Sequence, residues 1–215
     1  MELLAGLRRL LGGDQAPGSK HATWIDERVP GWMTRPELEL IASAAASVPD
    51  DGVIVEVGSF AGRSSVHWAA NSCPSADIYC IDPFDTVVDD YSLEHIRGDA
   101  SRVRGRPCGD LFAEYTQPWA NRLNAVAQTS PPSSWNRAAD VIFIDGDHTC
   151  EGVTRDLEFW IDHLKPAGRL LGHDWDDLRV RESVQAFAGR RGLAVGVHAG
   201  TYIWELGETA VRLER

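Results

Sequence analysis

The sequence is poor in basic charge and contains little lysine. Only Lys20 and Lys165 are lysines among its 21 basic residues, and no block of five consecutive basic residues occurs. The 32 acidic residues outnumber them, which gives a formal net charge of −11 at pH 7. Because such a surface repels polyanions, we do not expect nucleic acid as a partner.

Patterned cysteines and long apolar runs are also absent. The 4 cysteines form no C-x-x-C pair and have no histidine at zinc-finger spacing, which argues against a disulfide scaffold or structural zinc and predicts reduced thiols in a cytoplasmic protein. No apolar run reaches the roughly 18 residues of a membrane span. Residues 1–12 predict an amphipathic helix rather than a signal peptide, since Arg8 and Arg9 lie inside the apolar run.

The chain of 215 residues, 43% of them hydrophobic, is long enough for one sizeable core. We expect an N-terminal helix and arm over residues 1–33, pinned by Trp24 and Trp32, and a single domain over 34–215. A capping-box spacing from Thr34 to Glu37 predicts the first helix of that domain, at 34–47.

Short apolar runs then alternate with helical patterns. The clearest helix is predicted at 150–164, with apolar and charged residues on opposite faces. The predicted strands are 53–57, 77–82, 123–128, 141–145 and 168–172. This alternation predicts an α/β fold with a doubly wound, Rossmann-like and mostly parallel sheet.

Two segments depart from the alternation. Residues 194–198 and 201–206 are separated only by Ala199 and Gly200, which predicts an antiparallel C-terminal hairpin. Residues 83–110 carry glycines, prolines and scattered charges with at most a short helix near 91–97. A loop of this length is typical of a substrate-binding segment, although a mobile surface insertion has a similar pattern.

The turn after the first predicted strand is a candidate cofactor site, because ligands of such sheets bind at the carboxyl ends of the strands. It begins Glu56-Val-Gly58 and lacks the G-x-G-x-x-G of a dinucleotide site. Glu56 suits a cationic ligand, and Asp82, which ends the second strand, suits the two hydroxyls of a ribose. Together they point to S-adenosylmethionine, although a tight turn without a ligand has the same glycine spacing.

Two further strand ends carry groups that suit a divalent cation. Asp145 ends the fourth predicted strand, and His173 and Asp174 follow the fifth, so their side chains meet at one edge of the sheet. His148 faces the same crevice and is suited to accept a proton. Imidazole is an uncommon Mg²⁺ ligand, so His173 either lies behind the ligands or shifts the site toward Mn²⁺ or another transition ion. The structural alternative is that these acids cap helices, as Asp147 could cap the helix near 150.

At these residues the chain resembles the class I S-adenosylmethionine-dependent methyltransferases. Within them it is similar to the divalent-metal-dependent O-methyltransferases of macrolide sugars and natural products and, more distantly, to catechol O-methyltransferase. The resemblance covers about residues 29–206 and is most specific from Phe143-Ile-Asp-Gly-Asp-His148 to Gly172-His-Asp-Trp175. His173 departs from it, since the family usually has an acidic ligand there.

The resemblance implies roles for individual residues. It makes His148 the general base, and it makes Asp145, His173 and Asp174 the metal ligands. Glu56, Gly58 and Ser64 would contact the methionine part, Asp82 the ribose, and Gln128 with Ser130 the adenine. The candidate cofactor-binding residues are Glu56, Gly58, Ser59, Ser64, Asp82, Gln128, Ser130 and Asp145.

The implied reaction transfers a methyl group to a hydroxyl of a small acceptor, expected to be a mannoside, a rhamnoside or a glycosylated natural product. Mg²⁺ is the expected metal and Mn²⁺ the alternative, and a homodimer or higher homo-oligomer is expected. Two other functions stay open. One is a metallohydrolase of the phosphoesterase type. The other is a protein that binds S-adenosylmethionine without a metal, either as a methyltransferase of a small phenolic or acidic acceptor or without catalysis.

Overall fold

A computed structural model of the protein describes residues 23–89 and 93–207, so the helix predicted at 1–12 and part of the one near 91–97 lie outside the described residues. The strands are β1 Val53–Val57, β2 Asp77–Asp82, β3 Leu123–Ala127, β4 Ala139–Ile144, β5 Leu164–Gly172, β6 Ala194–Val197 and β7 Trp204–Gly207. The α-helices are α1 Arg35–Ala46, α2 Arg63–Asn71, α3 Cys108–Thr116, α4 Cys150–Ile161 and α5 Leu178–Arg191, and 3₁₀ turns lie at Ala100–Arg102 and Gln117–Trp119. None of the described helices is long and apolar enough to cross a bilayer.

The seven strands form one sheet in the order β3-β2-β1-β4-β5-β7-β6. Strands β1 to β5 pair in parallel, while β7 pairs antiparallel with β5 and β6. All five residues of β1 are buried, as expected for a central strand covered by helices on both faces. The prediction of a doubly wound, mostly parallel sheet with an antiparallel C-terminal end is confirmed.

Each face of the sheet carries its own apolar layer. Leu38 and Ile41 of α1 pack with Trp68 of α2 on one face, and Leu157 and Trp160 of α4 pack on the other. All five side chains are at most 1% exposed. Burial of each such side chain contributes roughly 2 to 3 kcal/mol, so the two layers stabilise the sheet from both faces.

The predicted boundary between α4 and β5 is wrong on both sides. The helix predicted at 150–164 ends at Ile161, and the strand predicted to begin at 168 begins at Leu164. Pro166 prevents the helix from running past residue 164, and the chain leaves it earlier still, because the His163 carbonyl accepts from the Ala139 amide of β4 at 2.8 Å. Leu164 instead pairs with Ala139, and an irregularity between Ala139 and Val141 restores the register.

The C-terminal connection is wider than predicted. The strands are antiparallel, but β6 ends at Val197 and β7 begins at Trp204, so the linking segment is longer than Ala199-Gly200. Backbone groups in the segment bind elsewhere: the Tyr202 amide donates to the Glu37 carboxylate at 2.9 Å. The linking segment, residues 198–203, therefore contacts the first turn of α1 through Tyr202.

The described residues of the segment predicted as a loop at 83–110 pack against the turn after β1, and we call residues 83–89 and 93–110 the cap. Val88, Ile96, Val103 and Leu111 form a small apolar cluster with Ala61, which lies in the turn after β1. Helix α3, which precedes β3 as the alternation predicts, begins at Cys108 inside this segment. The cap thus covers the candidate cofactor turn.

The arm before α1 is fastened to the same region by a row of polar residues on α2. Arg63 Nε donates to the Met33 carbonyl at 2.9 Å, His67 Nε2 accepts from the Asp26 amide at 3.1 Å, and Asn71 bonds both backbone groups of Trp24. These three side chains recur every fourth residue and so share one face of the helix.

Both arm tryptophans pack as predicted. The ring of Trp24 lies 4.9 Å from that of Trp119, and the ring of Trp32 lies 4.6 Å from that of Phe60 in the turn after β1. The arm and the cap also meet directly, since the Gly31 and Arg97 backbones pair. Together they form a cover over the turn.

Helix α4 buries one carboxylate whose charged partner is distant, because Arg155 Nε lies 3.8 Å from Asp156 Oδ1. Asp156 is 0% exposed, and neither of its oxygens has a hydrogen bond in the structure. Burial raises the pKa of Asp156 to about 6, against a smaller opposing effect from Ser130 and Arg155. Below about pH 6 the folded protein therefore favours the protonated form.

We expect Asp156→Asn to stabilise the protein in a pH-dependent way. A carboxyl whose pKa rises on folding stabilises the protein below its unfolded pKa of about 4 and loses that contribution as the pH rises through about 6. The variant should gain about 2 to 3 kcal/mol over the wild type between pH 4 and pH 7.5. Urea unfolding across this range measures it, with the exposed Asp162→Asn as control. A gain that does not change with pH would contradict the assignment.

Candidate active site

The turn between β1 and α2, residues 58–62, brings three elements together. Gly58 has φ +84°, and a Cβ atom there would lie 1.9 Å from the Asp145 carbonyl oxygen. Only glycine fits this close approach. The Gly58 amide donates to Ile81 in β2, and the Asp145 amide donates to Val57 in β1. The candidate cofactor turn therefore lies directly against the first candidate metal ligand.

Asp82 lies at the end of β2, as predicted, and binds this turn. Its Oδ2 accepts from the amides of Ser59 and Phe60 at 2.9 and 3.0 Å, and its Oδ1 accepts from the Phe84 amide at 2.7 Å. A carboxylate has about four acceptor positions, so one remains for a ligand hydroxyl. The side chain is partly exposed at the crevice.

Glu56 lies beneath the turn rather than facing the crevice. It is 0% exposed, and its carboxylate accepts from Ser59 Oγ at 2.7 Å, from Trp68 Nε1 at 3.0 Å and from the Ser65 hydroxyl. Burial raises the pKa of Glu56, and the serine and tryptophan donors offset part of that effect. In this conformation Glu56 holds the turn and α2 together, while direct contact with a cationic ligand stays a prediction.

The remaining candidate cofactor residues lie in two places. Ser64 is 4% exposed in the first turn of α2, beside the Glu56 carboxylate. Gln128 accepts two hydrogen bonds from Ser133, and Ser130 accepts one from Trp160 Nε1 at 2.9 Å. Gln128 and Ser130 thus belong to the segment after β3, and their predicted adenine contacts stay untested.

The predicted metal and catalytic residues converge at the ends of β4 and β5. One ligand atom from each of Asp145, His148 and Asp174 lies within 4.8 Å of the others. His148 Nε2 is 2.9 Å from Asp174 Oδ2, and His173 Nδ1 is 3.2 Å from Asp174 Oδ1 and 3.6 Å from Asp145 Oδ1. Neighbouring ligands of an octahedral ion with bonds of about 2.1 Å are about 3.0 Å apart, so these donors fit a small divalent cation.

The backbone supports this convergence. Asp174 has φ +58°, a left-handed conformation that is strained for a residue with a side chain. In this backbone conformation the Asp174 carboxylate lies between His148 and His173. Asp147 does not cap α4, because the N-cap is Thr149, which accepts from the Gly152 amide, while Asp147 accepts from the Thr149 amide.

Glu37 is a site residue that the sequence did not reveal. The sequence indicates it only as part of a capping box, and it does accept from the Thr34 amide at 2.6 Å. Its other oxygen, Oε1, lies 3.2 Å from His173 Nε2 and accepts from the Tyr202 amide. Glu37 is 1% exposed. Its place in the site depends on the segment that links β6 and β7, which contacts it through the Tyr202 amide although it is 165 residues away in the sequence.

Acidic and basic side chains of this site lie close together and are largely shielded from solvent. Burial raises the pKa of Asp145, and it also opposes ionisation of Asp174, but hydrogen bonds to His148 and His173 hold the pKa of Asp174 well below its usual range. Burial disfavours a charged His173, but Asp145, Asp174 and Glu37 outweigh it and raise the pKa of that imidazole. The hydrogen bond to Asp174 raises the pKa of His148.

Comparison with solved structures gives the class of the fold. A precorrin-6y C5,15-methyltransferase from Geobacter metallireducens GS-15 is 14% identical, with a TM-score of 0.59 over 86% of this chain and 94% of that one. The cofactor-bound Rv0187 from MTB is also 14% identical, with a TM-score of 0.59 over 97% of both chains. A precorrin 8w decarboxylase from Methanobacterium thermoautotrophicum is 15% identical, with a TM-score of 0.54 over 89% of this chain and 97% of that one. These similarities show a shared fold.

The family follows from the sequence. The family model described as a methyltransferase domain matches residues 55–175, which is more than half of the chain and runs from β1 to the residues after β5. The chain therefore belongs to this family, within the class I S-adenosylmethionine-dependent methyltransferases. The phosphoesterase alternative is not supported by this membership.

Proposed function

We propose that this protein is a divalent-metal-dependent O-methyltransferase that methylates a hydroxyl of a sugar or of a glycosylated natural product. The observation that carries the proposal is the cluster of Asp145, His148 and Asp174, whose ligand atoms lie within 4.8 Å of one another. The close contact between Gly58 and the Asp145 backbone places this cluster beside the candidate cofactor turn. An acid pair next to a methyl donor suits the activation of an alkyl hydroxyl, which is a poor nucleophile by itself.

In the proposed reaction the acceptor oxygen attacks the sulfonium methyl in line. The S–CH₃ bond breaks as the O–CH₃ bond forms, the sulfur keeps the bonding pair as S-adenosylhomocysteine, and the hydroxyl proton leaves to a base. His148 is suited to be that base. With Nε2 donating to Asp174, its Nδ1 carries the lone pair that accepts the proton.

Asp145, Asp174 and His173 are the residues that would hold the metal. Two carboxylates suit Mg²⁺ or Mn²⁺, and His173 Nδ1 lies 3.6 Å from Asp145 Oδ1 and 3.2 Å from Asp174 Oδ1. A bound divalent cation lowers the pKa of a coordinated hydroxyl. His148 remains 41% exposed at its side chain, so it is open to an acceptor approaching from the crevice.

Two exposed aromatic rings suggest where the acceptor lies. Trp32 is 40% exposed and packs on Phe60 of the cofactor turn, and Tyr202 is 49% exposed with its ring 6.5 Å from that of His173. Such rings offer flat apolar surfaces, which suit the apolar face of a sugar ring. The acceptor class itself comes from the resemblance to enzymes that methylate sugars.

Calorimetry with S-adenosylmethionine, in the presence of Mg²⁺ or EDTA, tests the proposal, followed by methyl transfer to a panel of glycosides and catechols. We expect cofactor binding in both conditions and transfer to a glycoside only with the metal. Transfer that is insensitive to EDTA would instead support the metal-independent alternative. Preference for catechols would overturn the acceptor class.

A further inference from the structure

Glu37 occupies a position that a helix cap does not require. A capping box needs one carboxylate oxygen on the N-cap backbone, and Glu37 Oε2 fulfils this by accepting from the Thr34 amide and hydroxyl at 2.6 and 2.8 Å. Capping residues of this kind usually lie at the surface, but Glu37 is 1% exposed. Its second oxygen is therefore buried, and its partners need a separate explanation.

That second oxygen faces His173. Glu37 Oε1 lies 3.2 Å from His173 Nε2, at a distance typical of an ion pair although the angle is not that of a well-aligned hydrogen bond. It also accepts from the Tyr202 amide at 2.9 Å, across 165 residues of sequence. Burial opposes ionisation of Glu37, but His173 and the Thr34 and Tyr202 amides lower the pKa of that carboxyl to about 2.

The backbone of His173 is fixed on both sides. Its amide donates to the Ile144 carbonyl at 3.0 Å, and its carbonyl accepts from Trp204 Nε1 at 2.8 Å. With Nε2 toward Glu37, the ring presents Nδ1 to Asp145 and Asp174 at 3.6 and 3.2 Å. A divalent cation bound there would replace the Nδ1 proton, because only an unprotonated nitrogen is a ligand. A carboxylate behind a histidine that faces a cluster of oxygen donors is the arrangement that orients histidine ligands of metals.

We propose that Glu37 is a positioning residue that fixes the His173 ring with Nδ1 toward the two aspartates, so that the centre offers nitrogen as well as oxygen and prefers Mn²⁺ to Mg²⁺. The inference rests on the proposed function, which requires a divalent cation but does not choose among them. Imidazole suits transition ions, whereas Mg²⁺ prefers oxygen ligands and retains its water.

The test measures metal binding to the purified protein without cofactor or acceptor. Loss of the free Mn²⁺ signal in electron paramagnetic resonance gives the Mn²⁺ affinity, and displacement by Mg²⁺ gives the preference. We expect Glu37→Gln to weaken Mn²⁺ binding by about 10- to 100-fold, as removal of such a supporting carboxylate does elsewhere. His173→Asp, which replaces nitrogen with oxygen, should reduce the preference for Mn²⁺ over Mg²⁺ by at least about tenfold.

Thr34→Ala separates positioning from simple stability. It removes the hydroxyl that donates to Glu37 Oε2 and weakens the helix cap, but it leaves the contact with His173 in place. We expect it to lower the melting temperature while the Mn²⁺ affinity stays within about twofold of the wild type. Glu39→Gln, on the exposed side of the same helix, should change neither quantity.

The outcomes distinguish this inference from the function beneath it. If Glu37→Gln binds Mn²⁺ as tightly as the wild type, or if His173→Asp keeps the wild-type preference, the inference is overturned while metal-dependent methyl transfer stands. If the wild-type protein transfers a methyl group but binds neither ion, both the metal part of the proposed function and the inference are wrong. Weakened Mn²⁺ binding in Glu37→Gln together with unchanged binding in Thr34→Ala supports the inference.

Discussion

Replacement of His148 by alanine is expected to reduce turnover by on the order of 10² to 10⁴ while leaving the affinity for S-adenosylmethionine near that of the wild type. His148 Nε2 is paired with Asp174 at 2.9 Å, and its side chain is 41% exposed toward the crevice. Loss of the ring removes the proton acceptor without disturbing the turn between β1 and α2. Single-turnover methyl transfer and calorimetry with the cofactor measure the two quantities separately.

The pH dependence sharpens this expectation. The hydrogen bond to Asp174 raises the pKa of His148 above its usual 6.5, and only the neutral imidazole accepts a proton. Turnover of the wild type should therefore rise with pH through that raised pKa, and His148→Ala should lack this rise. His163→Ala is the matched control, because His163 packs on Phe159 of α4 and should leave the rate unchanged. An equal loss of cofactor binding in His148→Ala would show that the residue is structural.

The strand ends of this fold could be predicted because their signals are local. Buried β-branched runs identified β1 and β4, and a carboxylate directly after a strand lies at the carboxyl edge whatever the loops do. Asp82, Asp145 and Asp174 were found in this way, and the structure places all three at that edge. The capping box at Thr34 was predicted by the same kind of short-range pattern.

Contacts between distant segments could not be predicted in this way. Glu37 reaches the site only because the segment before β7 folds over α1, and the sequence indicates only its cap. The burial of Glu56 likewise depends on Ser59, Ser65 and Trp68 turning their donors inward, which spacing does not reveal. The packing of the cap is not predicted either, because its apolar residues follow no helical or strand period.

Replacement of Asp145 by alanine is expected to abolish activation by divalent metal, with a loss of about 10³ in metal-stimulated turnover, or roughly 4 kcal/mol. The protein should remain folded. Asp145 contacts Gly58 through its backbone carbonyl, which alanine retains, and burial raises the pKa of the carboxyl, so the fold gains little from its charge. Residual activity should therefore be the same with Mg²⁺, with Mn²⁺ and with EDTA.

The control for this variant is Asp147→Ala, two residues away. Asp147 is exposed and accepts from the Thr149 amide ahead of α4, so its loss removes a nearby negative charge without removing a candidate ligand. We expect it to retain metal activation within a few-fold of the wild type. If Asp145→Ala were still activated by metal, the ion would have to bind elsewhere in the protein. The convergence of β4 and β5 would then serve only to orient His148 through Asp174.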